Sequence, residues 1–333
     1  MFAVNKTKVS VETEFNLPVK GKTTTGLEFD FHPAVPKKDN NYVFQPSLIR
    51  PLLSFMEFPG DDAFWVWGLY GTGKTSIVKQ TCARLFWPCY SINGSETLEM
   101  EDLLYRTAIL PDGTTKIELN ALSRAFVEGA VFLFNEIDLC DPSRLAALNE
   151  ILAGDTLVLP GIDEVLTKHE NFRFIATANT NGSFDDDKGI DFAGTSTMNV
   201  AFMDRFIVAK AEFMDAKTEA KLLNEFANEV FYKIYGKQDK TFMKRFTPYI
   251  EMMIKVANES RKSAMNNSGF DRPISLRGLK RWVVKSIQYK DAPNPIKVSV
   301  GEAITNGYPK SLRDSVIRFC SDIFGEDFSD LYT

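Results

Sequence analysis

Residues 68–75 read GLYGTGKT, and no other stretch constrains the fold of this chain so tightly. An apolar run, FWVW at 64–67, comes immediately before them, and SIVKQTCARLF at 76–86, apolar at helical spacing, comes immediately after. A glycine-rich turn between a buried strand and a helix start aims successive backbone N–H groups at one spot, where the positive end of the helix adds to the field. The spacing G-x-x-x-x-G-K-[ST] is that of a phosphate loop. Its expected contacts to ATP are Gly68, Tyr70, Gly71, Thr72, Gly73, Lys74, Thr75 and Ser76. Lys74 is expected on the β- and γ-phosphates, and the Thr75 hydroxyl on Mg2+. A strand that feeds such a loop and helix returns to a parallel neighbour by a crossover, so the unit predicts an α/β fold.

The same alternation continues from Tyr42 to about Met214, through PCYSI at 88–92, VFLFNEIDL at 131–139, SRLAALNEILAG at 143–154 and FRFIATANT at 172–180. Residues 42–214 are therefore expected to form a phosphate-loop core, a mostly parallel sheet with helices on both faces. Beyond it, AKTEAKLLNEFANEVFYKI at 216–234 and LRGLKRWVVKSIQY at 276–289 keep helical spacing without strand signals, which predicts an all-helical domain over 215–333. Residues 1–41 are polar and broken by Pro18, Gly21, Gly26, Pro33 and Pro36, and are expected to be an arm that packs on something else.

Composition narrows the partners. A net charge of -5 gives no global attraction to nucleic acid or to an anionic membrane. The four cysteines are scattered without paired spacing or neighbouring histidines, which argues against a zinc site or a disulfide scaffold. No window approaches eighteen uninterrupted apolar residues and the first fifteen residues lack an apolar leader core, so a cytoplasmic protein is expected.

VFLFNEIDL supplies the carboxylates. Asn135 stands where an aspartate is usual, so it is expected to reach the metal through water, with its amide oxygen as acceptor but without a charge. If the strand stays extended, Glu136 and Asp138 share a face, with Glu136 the residue that polarises the attacking water and Asp138 a candidate to replace the missing metal charge. Asn179, at the carboxyl end of FRFIATANT, falls where ligands sit in such sheets and is a candidate to orient that water. Arg205 in MDRF and Arg277 in SLR are catalytic candidates too, although from spacing alone each is by default a solvated or ion-paired surface arginine.

Taken together, GLYGTGKT, the strand ending in Asn-Glu, ATANT, MDRF and the SLR helix resemble the AAA+ ATPases of the MoxR group, CobS-like proteins in particular. That resemblance implies a Walker A element at Lys74 and Thr75, Walker B at Asn135 and Glu136, sensor 1 at Asn179, an arginine finger at Arg205 and sensor 2 at Arg277. It further implies a homo-oligomeric ring, commonly a hexamer, in which Arg205 completes a neighbour's site. A partner with a von Willebrand factor A-type domain (CobT-like) and an association with metal chelation are also implied. Two segments, 109–117 (ILPDGTTKI) and 157–168 (LVLPGIDEVLTK), fit the inserted hairpins of such proteins and would face the pore or the partner.

Two other functions stay open on the residues. One is a nucleic-acid-associated motor, favoured only by the basic stretch KQDKTFMKRF at 237–246 and opposed by the acidic balance. The other is an ATP-binding scaffold with little hydrolysis, which Asn135 keeps in view.

Overall fold

The computed structural model describes residues 5–28, 31–159, 162, 164–182, 195–266, 270 and 272–328. They divide into an α/β unit, residues up to 69, 73–182 and 195–212, and a helical unit, residues 70–72 and those from 213 onward.

The α/β unit begins with β1 (Asn5–Ser10), α1 (Val11–Phe15), β2 (Thr23–Glu28) and α2 (Pro46–Glu57). The phosphate-loop strand β3 (Ala63–Trp67) leads to α3 (Lys74–Leu85), β4 (Cys89–Asn93) and α4 (Met100–Leu104). A hairpin of β5 (Tyr105–Ile109) and β6 (Thr115–Leu119) precedes α5 (Ala121–Glu128) and β7 (Val131–Asn135). After α6 (Pro142–Leu145) and α7 (Leu148–Ala153), a second hairpin of β8 (Thr156–Val158) and β9 (Val165–Thr167) leads into β10 (Arg173–Ala178). The unit closes with α8 (Val200–Met203) and β11 (Phe206–Lys210).

Five of these strands form one sheet in the order β11-β3-β10-β7-β4, every neighbouring pair parallel. Both faces are covered, which is why the strands read as unbroken apolar runs and not as alternating ones. On one face Trp65, Phe132, Phe134, Phe174 and Ala176 pack with Leu122, Phe126, Leu148 and Phe202 of the α4 to α8 side. On the other, Phe64, Val66, Val131, Leu133 and Ile175 pack with Leu48, Leu52, Ile77 and Val78 from α2 and α3. The alternation of residues between two apolar layers is the strand period of two expressed in a three-layer sandwich.

Residues 5–28 and 31–41 pack on this sandwich. β1 and β2 pair antiparallel, and Phe15, Leu17 and Leu27 enter the same apolar layer as α2 and α3. Arg84 of α3 stitches them down, its Nε donating to the Glu14 carbonyl at 2.8 Å and Nη2 to the Asp39 carbonyl at 2.8 Å. Each short element offers only one or two apolar residues, so composition alone reads the segment as polar.

Both expected hairpins are present, with large apolar side chains left in solvent at Ile109 (78% exposed), Val158 (63%) and Val165 (60%). Pro160, Gly161 and Asp163, within the second expected segment, lie outside the described residues.

The helical unit is built from α9 (Ala216–Tyr235), α10 (Lys240–Met265), α11 (Leu276–Gln288), α12 (Pro295–Ala303) and α13 (Lys310–Phe324). α9 starts at the Asp215 cap, whose carboxylate accepts from the Thr218 amide, and ends at Gly236 in the left-handed region. A buried ion pair joins the first turn of α9 to α10. Arg261 Nη1 and Nη2 each donate at 2.8 Å to a different oxygen of Glu219, and Arg261 Nε donates to the Ile274 carbonyl just before α11. Ser275 caps α11 by accepting from the Gly278 amide, which sets the helix start that carries Arg277.

Candidate nucleotide site

The phosphate loop needs backbone that only glycine adopts readily. Gly71 and Gly73 stand at φ of +79° and +90°, and Gly73 is the residue from which α3 starts. No side chain caps that helix start, so its first N–H groups remain available to an anion. Lys74, the first residue of α3, turns its ammonium back into the loop mouth, donating to the carbonyls of Gly68 at 2.6 Å and Leu69 at 3.2 Å.

Two long-range contacts bring the sheet's carboxyl ends to this loop. Lys74 Nζ donates to Asn179 Oδ1 at 2.9 Å, across 105 residues of sequence. Thr75 Oγ1 donates to Asn135 Oδ1 at 2.8 Å, and Asn135 Nδ2 in turn donates to the Ile92 carbonyl of the edge strand at 3.3 Å. Thr177, two residues before Asn179 and so on the same face of β10, adds its hydroxyl 3.5 Å from Asn135 Oδ1. The Glu136 amide donates to the Thr177 hydroxyl at 3.3 Å. Thr177 was not among the residues expected from sequence, although its i, i+2 relation to Asn179 was a usable signal.

The acidic pair departs from the extended-strand expectation. β7 ends at Asn135; Glu136 takes a left-handed φ of +53°, and residues 137–139 form a 3-10 turn. A non-glycine residue there carries backbone strain, and the kink turns the Glu136 side chain out into solvent while Asp138 goes inward. The same kink explains Gly94: a Cβ there would lie 2.3 Å from the Glu136 carbonyl oxygen.

Asp138 is therefore not on a face with Glu136, and its carboxylate is engaged with backbone amides. It is wholly buried, and its Oδ2 accepts from the backbone amides of Asn179 at 2.8 Å and Thr180 at 3.0 Å. Burial raises its carboxyl above the usual carboxylate range, with those two amides pulling the other way. Burial lowers the Lys74 ammonium to about 8, opposed by the carboxylates of Asp138 and Glu136.

The oxygen donors fit a hard cation such as Mg2+: a hydroxyl and an amide oxygen already in contact at Thr75 and Asn135. Among the described residues no group of three or more His, Cys, Asp or Glu side chains is placed to hold a metal. An ion bound here would draw its charge balance chiefly from phosphate oxygens.

Arg205 lies apart from this cluster. The Arg205 carbonyl accepts from the Ala63 amide at 2.8 Å, at the amino end of β3, whereas the phosphate loop leaves its carboxyl end. Five residues of parallel strand, at about 3.3 Å each, put roughly 16 Å between those two levels. The Arg205 guanidinium folds back to the Ala201 carbonyl, 2.7 Å from Nη1, and its buried Nε has no partner. Arg277 is the second residue of α11 in the helical unit.

Residues 64–206 match the AAA domain (dynein-related subfamily). The chain is 30% identical over 206 residues to the aerobic cobaltochelatase subunit CobS of a Sinorhizobium species, an alignment covering 61% of this chain and 60% of CobS. It is 28% identical over 156 residues to midasin of Giardia intestinalis, covering 46% of this chain and 3% of midasin. The matched region thus spans less than two thirds of either relative. Among solved structures, NtrX of Brucella abortus shares the fold with a TM-score of 0.51 at 14% identity, covering 87% of this chain and 68% of that one.

Proposed function

We propose, from the match of residues 64–206 to the AAA domain, that the protein is an ATP-hydrolysing motor, working as a ring, that remodels a partner protein. The observation that carries the hydrolysis is the convergence of Lys74, Thr75, Asn135 and Asn179 at the carboxyl ends of three parallel strands, with Glu136 turned out beside them.

In this reading the phosphate-loop amides and Lys74 hold the phosphates of ATP and stabilise the charge that develops on the transferred phosphoryl group. Glu136 accepts the proton of the attacking water as its oxygen bonds to the γ-phosphorus. The bond to the bridging oxygen then breaks, and ADP and phosphate leave. Asn179 sets the direction of attack. Thr75, with Asn135 through water, would hold Mg2+, which when bound neutralises phosphate charge.

The separation of about 16 Å along the strands between the level of the Arg205 backbone and that of the phosphate loop supports action on a neighbour's nucleotide, hence a ring, with six subunits the expectation. Arg277, on the helical unit, would report nucleotide state to that unit. Likeness to CobS supports a partner carrying a von Willebrand factor A-type domain, with the exposed Ile109, Val158 and Val165 of the two hairpins on the surfaces that grip it. Service in a metal chelatase is one form of that task.

The test is phosphate release by the purified protein in saturating Mg2+ and ATP, followed by Glu136→Gln. Turnover in the wild type, with bound ATP retained by the variant, supports the motor. Tight ATP binding without phosphate release, with or without partner, replaces it with an assembly scaffold. Release that needs DNA or RNA and falls steeply with salt replaces it with a nucleic-acid motor.

A further inference from the structure

One buried group at the centre of the α/β unit stands outside this catalytic scheme. The Asp138 carboxylate reaches neither the Thr75–Asn135 pair nor Lys74 by hydrogen bond among those described; it is spent on the amides of Asn179 and Thr180, 2.8 and 3.0 Å away. Its other oxygen, Oδ1, is buried without a partner. A buried carboxylate with one oxygen left without a hydrogen bond is costly.

What Asp138 secures is the turn that follows β10. Two successive amides fixed on one oxygen determine where the backbone of Asn179 stands, and hence where its side chain meets Lys74 at 2.9 Å. The main chain of Asp138 extends the link in the other direction. Its carbonyl accepts from the Ser196 amide at 2.8 Å, and the Met198 amide donates to the Gly182 carbonyl at 2.8 Å, in the segment that runs into α8 and Arg205.

We propose that Asp138 is a positioning residue for ATP hydrolysis: it acts through Asn179, tying the Walker B turn to the sensor 1 strand end and to the segment leading to Arg205. The inference rests on the hydrolase reading above. It assigns to the buried carboxylate neither metal binding nor proton transfer. Substrate affinity, set by the phosphate loop, is therefore separable from turnover, set by where Asn179 points.

A double-mutant cycle tests this on the full chain, with phosphate release for kcat and a fluorescent ATP analogue for affinity. Asp138→Ala is expected to lower kcat about 10- to 100-fold with nucleotide affinity changed less than about threefold. In an Asn179→Ala background, the same substitution is expected to cost less than about twofold more, because its target side chain is already gone. Asp138→Asn, which keeps one acceptor oxygen and the side-chain volume, carries the same cycle if the alanine variant does not fold.

Losses that multiply in the double variant would overturn the proposal, as would a fall in affinity parallel to that in kcat. A shift in the Mg2+ requirement with no change in saturated kcat would overturn it too and return Asp138 to the metal. A wild type that releases no phosphate fails earlier and removes the hydrolase reading itself.

Discussion

Replacing Glu219 by alanine would expose how far the helical unit depends on one buried ion pair. Glu219 and Arg261 have side chains 1% and 4% exposed, joined by two parallel bonds of 2.8 Å. Truncating one partner of such a pair costs about 3–5 kcal/mol, because the remaining charge is left buried. Arg261 keeps its bonds to the Ile274 carbonyl at 2.9 Å and Asn258 at 3.0 Å, and stays over the Phe213 ring at 4.5 Å. These retained contacts favour the lower end, about 3 kcal/mol, or roughly a 100-fold loss of protection when amide exchange is limited by opening of this unit. Hydrogen exchange in the intact protein, read on peptides from α9, α10 and the residues before α11, measures it directly. The double variant Glu219→Leu/Arg261→Met, which leaves no buried charge, should recover at least half of the loss. A single variant whose protection falls less than about fivefold, or a double variant as open as the two single losses combined, would refute the argument.

Other expectations concern the nucleotide site. Asn135→Asp puts an oxygen where Nδ2 now donates to Ile92 and adds a charge beside Thr75. The Mg2+ concentration for half-maximal turnover should fall about tenfold while the nucleotide-free protein loses about 1–2 kcal/mol of stability; an unchanged Mg2+ titration sinks this account. Gly94→Ala forces a Cβ to within 2.3 Å of the Glu136 carbonyl unless the kink moves. A cost of about 1–3 kcal/mol in thermal melts, with reduced turnover, is expected, and a melt matching wild type would show that the kink is not rigid. Arg205→Ala and Glu136→Gln should each be nearly inactive alone. Mixed together they should regain turnover, because some interfaces then pair an intact Glu136 with an intact Arg205; no recovery on mixing would place Arg205 outside the neighbour's site.

Much of the architecture is legible without coordinates because it rests on local rules. The phosphate loop announces itself by glycine spacing between a strand and a helix, and strands buried on both faces show as apolar runs such as VFLF and FRFI. The hairpin at 109–117 is visible in PDGT flanked by strand formers. The place of residues 5–28 was not legible. Phe15 and Leu27 matter only because α2 and α3 present an apolar surface to them, and nothing within the segment encodes that surface.

Local residue order is enough to reveal which residue types serve phosphate chemistry and which elements carry them, since periodicity and loop spacing are properties of a few consecutive residues. It did not determine how those residues meet. Lys74 reaches Asn179 across 105 positions, and Glu136 and Asp138 point to different places because the chain kinks at φ +53° where extension was the simpler expectation. That strained conformation persists because the neighbouring strands hold both sides of it: the Thr177 hydroxyl accepts from its amide, Gly94 leaves room for its carbonyl, and the amides after β10 draw Asp138 inward. Only the packed sheet supplies all three at once, so the fate of the acidic pair was decided by tertiary structure.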